Sequence, residues 1–252
     1  MAKLSILDDK NAFFDQMIIE FDKEFAIYQG KLNKLLSKFI ESGPHTHEEV
    51  KIFLKGSGLD RMVGGFVAKF DGILQYTKEL SAELGIAFVL PKPAFAVMQL
   101  IKDNAQNKIL NASNEILNTL VDASLRYGIG EVRLPALIKE LQSVITTAGR
   151  RIATEAFTSA SMYDRSIKFM QYQQLEVKKF FYAGPVDSLN RDICADVLSS
   201  PLQGSGWTMD DIESSGAGFI SGGGYNCRHE WLPFVEGADA LLDEMKRDAG
   251  LL

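Results

Sequence analysis

Ile167-Lys-Phe-Met-Gln-Tyr-Gln-Gln-Leu-Glu-Val-Lys-Lys-Phe-Phe-Tyr182 is the stretch where the chain changes character. Before it, Ile138, Leu141, Ile145, Ala148, Ile152, Ala156, Ser159, Tyr163, Ile167 and Met170 recur every three or four residues. That spacing is one face of a long helix. After Gln171 the pattern is lost, and Val177-Lys-Lys-Phe-Phe-Tyr182 is aromatic and suited to a strand. The change predicts a mainly α protein: a long-helix bundle over residues 1–170, followed by a small α+β module over 171–252.

Working back from this junction, every segment reads as helix. Phe14, Ile18, Phe21, Phe25, Tyr28, Leu32, Leu35 and Phe39 give a heptad seam, ended by Gly43-Pro44. Thr46-His-Glu-Glu49 fits a capping box and predicts a short helix. Phe66, Phe70, Ile73, Thr77, Leu80 and Leu84 mark the next, and a stiff Leu90-Pro-Lys-Pro93 connector follows. Met98 to Leu120 keeps one apolar face, predicting a single helix from Ala94 to about Arg126. Pro135 suits the first turn of the last one.

Working forward, Ala183-Gly-Pro-Val-Asp187 is a turn, and Arg191 to about Leu198 a short helix containing Cys194. Thr208 caps another through Ile212. Gly222-Gly-Gly-Tyr-Asn-Cys-Arg-His229 then leads into a strand, Glu230 to Val235, and Ala238–Lys246 reads as a C-terminal helix.

With 252 residues and 46% hydrophobic content, the chain can bury a sizeable core. No apolar run reaches the roughly 18 residues that a membrane span needs. The N-terminus turns acidic too early for a secretory signal, so a cytosol-like compartment is expected. Two cysteines there are free thiols or metal ligands more often than a disulfide. Residues 201–252 hold nine acidic and three basic side chains and so carry the whole net charge of −6. That argues against a nucleic-acid surface at this end and would suit a basic partner surface.

Cys194, Cys227 and His229 concentrate the chemistry. Thiolates and imidazole are good zinc ligands, and Asp187 is a candidate fourth. Residues i and i+2 of a strand share a face, so Cys227 and His229 can ligate together while Arg228 points the other way. The other reading is a buried cysteine pair beside a hydrogen-bonded histidine. A Cys–His nucleophile is a third, but no flanking residue supplies an obvious oxyanion site. Glu155, at the edge of the apolar stripe, wants a cationic partner, with Arg191 and Arg228 as candidates. His45 and His47 flank the Thr46 cap and read as loop histidines. Asp210, Asp211 and Glu213 read as helix-start acids that complement the dipole.

Four segments in order resemble a family. Arg151-Ile-Ala-Thr-Glu155, with Ser159 and Tyr163 after it, is similar to the Arg-x-Ile-Ala-x-Thr-Glu segment of Mu-type phage head morphogenesis (minor head) proteins. Lys178-Lys-Phe-Phe-Tyr182 follows. Asp187, Arg191 and Cys194 resemble that family's Asp-x-x-Thr-Arg-x-x-Cys turn, and Asn226-Cys-Arg-His229 its closing Asn-Cys-Arg-Cys element. Asn190 replaces the threonine, His229 the last cysteine, and Gly222-Gly-Gly224 the usual proline. The match covers about residues 150–235; the first 150 fit only in being helical.

The resemblance implies a virion protein in several copies at the portal vertex or head interior, after assembly in the host cytoplasm. Its implied partners are the portal protein and other head proteins, with indirect contact to packaged DNA and none to membrane. Its role would be head morphogenesis and packaging or ejection of DNA, without catalysis. The toxin domains that some members carry beyond this module are not expected, since the chain ends soon after the motif. On this reading Glu155, Asp187, Arg191 and Arg228 hold the module, and zinc on Cys194, Cys227 and His229 is the candidate cofactor. The alternative is a small phage enzyme, a nuclease or transferase, using Cys227 and His229.

Overall fold

The computed structural model of the protein describes residues 5–83 and 85–234. Leu84, Val235 and the helix expected at Ala238–Lys246, with most of the acidic end, lie outside the described residues. The rest is mainly helical, with long helices packed together, followed by a small C-terminal region with a two-stranded antiparallel sheet. The helices are α1 Ser5–Glu41, α2 His47–Gly56, α3 Leu59–Ala68, α4 Phe70–Glu83, α5 Ala94–Asn111, α6 Asn114–Gly128, α7 Leu134–Gln174, α8 Asp192–Ser199 and α9 Met209–Ser214. The strands are β1 Phe180–Ala183 and β2 Glu230–Pro233. None of the described helices is long and apolar enough to cross a membrane.

The chain divides into two compact units. Among the described residues, 5–76 form one with 100–160, and 77–99 form the other with 161–234. The bundle and module expected from sequence divided at 170; here 77–99 and the last turns of α7 belong with the module.

In the first unit the buried face of α1 is Phe14, Met17, Phe21, Phe25, Tyr28, Leu32, Leu36 and Ile40. Leu35, placed on the seam by the heptad reading, is 44% exposed, and Leu36 is fully buried in its place. Phe14, Phe25 and Leu36 lie eleven residues apart, as do Phe21 and Leu32. An eleven-residue repeat means about 3.67 residues per turn, so the stripe drifts off a heptad register. Phe21 meets Phe66 of α3 edge-on, with centroids 4.8 Å apart. The Thr46 capping box forms as expected. His45 is structural, with Nε2 2.7 Å from Phe39 O and its ring stacked on Phe39.

Two expected helices are broken. Residues 59–83 form α3 and α4, with a turn at Lys69, whose N–H donates to Phe66 O. The helix expected over 94–126 divides into α5 and α6 at Ala112-Ser113. There the Ser113 hydroxyl donates to Leu110 O, and the N–H groups of Ile116 and Leu117 point to Ser113 O. Serine between two asparagines offers the backbone local partners that compete with continuing the helix.

In the second unit, β1 and β2 pair antiparallel, with Phe181 opposite Leu232 and Tyr182 opposite Trp231. All eight strand residues are buried, which is why the sequence alternates poorly here. β1 begins three residues later than expected because residues 175–179 first close the end of α7 as turn and loop. Glu176 adopts φ 53° and the Val177 N–H reaches back to Tyr172 O, a left-handed helix cap. The other edge of β1 is closed by a side chain. Gln203 accepts the Tyr182 N–H and donates to Tyr182 O, both at 2.8 Å. Beside it, Phe180 exchanges two backbone hydrogen bonds with Trp207.

Candidate metal centre

Cys194 comes from the first turns of α8. Cys227 and His229 come from the segment that enters β2. The sulfurs are 3.9 Å apart, and Cys227 Sγ is 3.8 Å from His229 Nδ1. All three ligand atoms lie within 4.8 Å of one another and all three side chains are buried. Residues distant in sequence meet here because β2 lies against β1 and α8 packs over β1.

Close approach explains two of the glycines. A Cβ on Gly223 would stand 2.3 Å from Cys194 Sγ, and one on Gly184 2.4 Å from the His229 ring. Only glycine fits at either place without displacing the cluster.

The histidine is oriented by its far nitrogen. Nε2 is 2.8 Å from Pro185 O. A carbonyl can only accept, so Nε2 carries a proton, and the ring turns Nδ1 towards Cys227. A second hydrogen bond of this kind fixes the tautomer of metal-bound histidines. The Gly223 N–H donates to Cys227 Sγ at 3.1 Å. Burial pushes the Cys227 thiol up; the His229 contact, the Arg165 charge, the Tyr182 hydroxyl and the Gly223 N–H outweigh it and bring it down to about 5. Cys194 is pushed up, chiefly by burial, so the pair holds its charge on Cys227. Burial, then the charge on Cys227, pushes Tyr182 up as well.

Arg165 is the residue that sequence reasoning missed. It lies on α7, 3% exposed, and its guanidinium donates to the carbonyls of Cys227 at 2.6 Å, Ile220 at 3.1 Å and His229 at 3.2 Å. Lys168, one turn on and also buried, pairs with Asp164 and with Glu230 of β2. In sequence, Asp164, Arg165 and Lys168 read as a solvated helix face. The one signal was their position beside Tyr163 and Ile167, on the last turns of a helix where the apolar stripe is already continuous.

The other expected contacts fall differently. Arg228 NH2 lies 2.6 Å from Asp187 Oδ1, not against Glu155. Asp187 and Arg228 stand just beyond the paired ends of β1 and β2, where Ala183 faces Glu230, and so face each other. The Arg228 contact, followed by the Leu189 N–H, holds the Asp187 carboxyl below its usual range. Asp187 is therefore engaged elsewhere and is not the fourth donor to the cluster. Arg191 donates to Gly223 O at 2.7 Å and ties α8 to the glycine loop. Glu155 is half-buried on α7 and belongs to the first unit. Asp211 completes the Thr208 cap.

No protein-family model, curated protein or solved structure matches this chain. The chemistry must therefore be read from the donor set itself. A tetrahedral zinc ion about 2.3 Å from thiolates and about 2.0 Å from imidazole nitrogen has its ligand atoms about 3.5–3.8 Å apart. The observed 3.9 Å and 3.8 Å fit those edges within the movement that binding would require. Cys194, Cys227 and His229 could hold a metal ion.

Proposed function

We propose that this protein is a structural minor head protein of a tailed phage. It would sit at the portal vertex or head interior, contacting the portal protein and other head proteins, and serve head morphogenesis and the packaging or ejection of DNA. One observation carries the reading. The last two motifs behind the resemblance, separated in sequence, converge as a closed structural knot. Cys194, Cys227 and His229 cluster, Arg228 pairs with Asp187, and Arg191 reaches the glycine loop. In this reading Cys194, Cys227 and His229 hold a structural zinc, which would contribute folding energy directly and turn over no substrate.

The alternative, a nuclease or transferase using Cys227 and His229, draws on the lowered Cys227 thiol and on a histidine oriented by Pro185 O. Against it, Cys227 is only 5% exposed and His229 3%, so a substrate would reach the sulfur only after the glycine loop opened.

Phage complementation separates the two. Cys227→Ser should give protein that folds poorly or enters heads poorly. Normal folding and normal incorporation with infectivity lost would reject the structural reading in favour of the enzyme.

A further inference from the structure

We propose that Tyr182 is the fourth ligand of the metal centre, making it a closed four-coordinate site of two cysteines, one histidine and one tyrosine. The proposal rests on the reading of Cys194, Cys227 and His229 as metal ligands. Tyr182 Oη lies 3.6 Å from Cys194 Sγ and 3.5 Å from Cys227 Sγ. Around a tetrahedral zinc, an oxygen donor at about 2.0–2.2 Å and a thiolate at about 2.3 Å are separated by about 3.5–3.7 Å. The hydroxyl straddles both sulfurs at that separation, where a simple hydrogen bond would need only one of them.

The tyrosine is also held in place. Both backbone groups of Tyr182 are fixed by Gln203. Its ring stacks on His229, with centroids 5.1 Å apart and planes 15° apart, and packs against Trp231 at 4.6 Å on the same sheet. The oxygen is thus positioned by packing that does not depend on the metal, as a preorganised ligand requires. The other oxygen donor considered, Asp187, is paired with Arg228.

Charge supports the assignment. Two thiolates and a phenolate around a divalent ion leave one net negative charge. The buried Arg165 guanidinium, bonded to the carbonyls of Cys227 and His229, supplies the opposite one. Zinc, borderline in softness, accepts sulfur, nitrogen and oxygen donors together.

On binding, the Tyr182 O–H and Cys194 S–H bonds break, both protons pass to solvent, and the phenolate oxygen and the two thiolates each donate a pair to zinc. No electrons are exchanged. The test is a titration of zinc into metal-free, full-length protein at neutral pH, followed by ultraviolet difference absorption of phenolate. The expected result is one phenolate for each zinc bound, out of the seven tyrosines in the chain. Tyr182→Phe should lose that signal and bind zinc more weakly by more than the roughly 10–100-fold that loss of an outer hydrogen bond costs. The signal is read on the wild-type protein, so it stands even if the variant folds poorly. One zinc bound with no phenolate signal, or a signal that survives in Tyr182→Phe, overturns Tyr182 as a ligand and leaves the three-residue reading intact. No zinc bound overturns both.

Discussion

The two units are stabilised by different physics. The first is a set of helices whose contacts are apolar stripes: Phe14 to Ile40 on α1, Leu137 to Ala156 on α7. Ion pairs such as Arg151–Glu115 lie exposed on it, and such pairs contribute little. The second unit buries charge. Lys168, Asp164, Arg165 and Glu230 are each under 10% exposed, and each is bonded to the others or to backbone. Removing area from the first unit should cost in proportion to the area. Removing one polar group from the second leaves its partners stranded in a low dielectric, where the loss exceeds the value of the contact.

Fluorescence can separate the two experimentally. Both tryptophans of the chain, Trp207 and Trp231, lie in the second unit, so their emission reports that unit alone. The largest expected effect is that of Lys168→Ala, which takes the buried cation away from Asp164 and Glu230. It should cost about 3–5 kcal/mol in urea unfolding followed by tryptophan fluorescence. A loss no greater than an exposed ion pair gives would break the comparison. Next is Leu36→Ala on the fully buried stripe of α1, at about 2–5 kcal/mol by far-ultraviolet circular dichroism. The same change at Leu35 should be close to neutral; equal costs at the two positions would restore the heptad seam.

The capping boxes form a matched pair, one in each unit. Thr46→Ala and Thr208→Ala should each cost about 1 kcal/mol, because a cap acts locally whatever surrounds it. Unequal losses would show that the second unit amplifies even local defects. Arg228→Ala, which breaks the half-exposed pair with Asp187, should lower the unfolding midpoint only slightly.

A pH dependence sharpens the comparison further. In metal-free protein Cys227 titrates near 5 when folded and near the ordinary thiol value, about 8.5, when unfolded. Its folded value is depressed. Its contribution is therefore complete above the unfolded value, shrinks as pH falls across the interval, and is gone below about 5. Unfolding followed by tryptophan fluorescence should thus show stability rising between pH 5 and 8.5, and Cys227→Ser should flatten that rise. An equal slope in the variant would assign it to other groups.

The sequence revealed what depends on local spacing. Helix existence, the Thr46 and Thr208 caps and the short helix around Cys194 all follow from patterns within a few residues. The grouping of Cys194, Cys227 and His229 was suggested by their chemistry, and the i, i+2 rule put Cys227 and His229 on one face with Arg228 on the other. What could not be read depends on contacts distant in sequence. Arg165 and Lys168 are ordinary helix-surface residues until the glycine loop and β2 cover them. Gln203 cannot be seen as the edge partner of β1 without the sheet. The drift from Leu35 to Leu36 is invisible to a heptad template because both positions are leucine.

The most direct test of the central claim is the zinc content of full-length protein purified without chelator. The account predicts one zinc per chain in the wild type and, in Cys227→Ser, loss of the zinc together with a lowered unfolding midpoint of the second unit. Wild-type protein that is fully folded and metal-free, and that takes up no zinc when it is supplied, would contradict it.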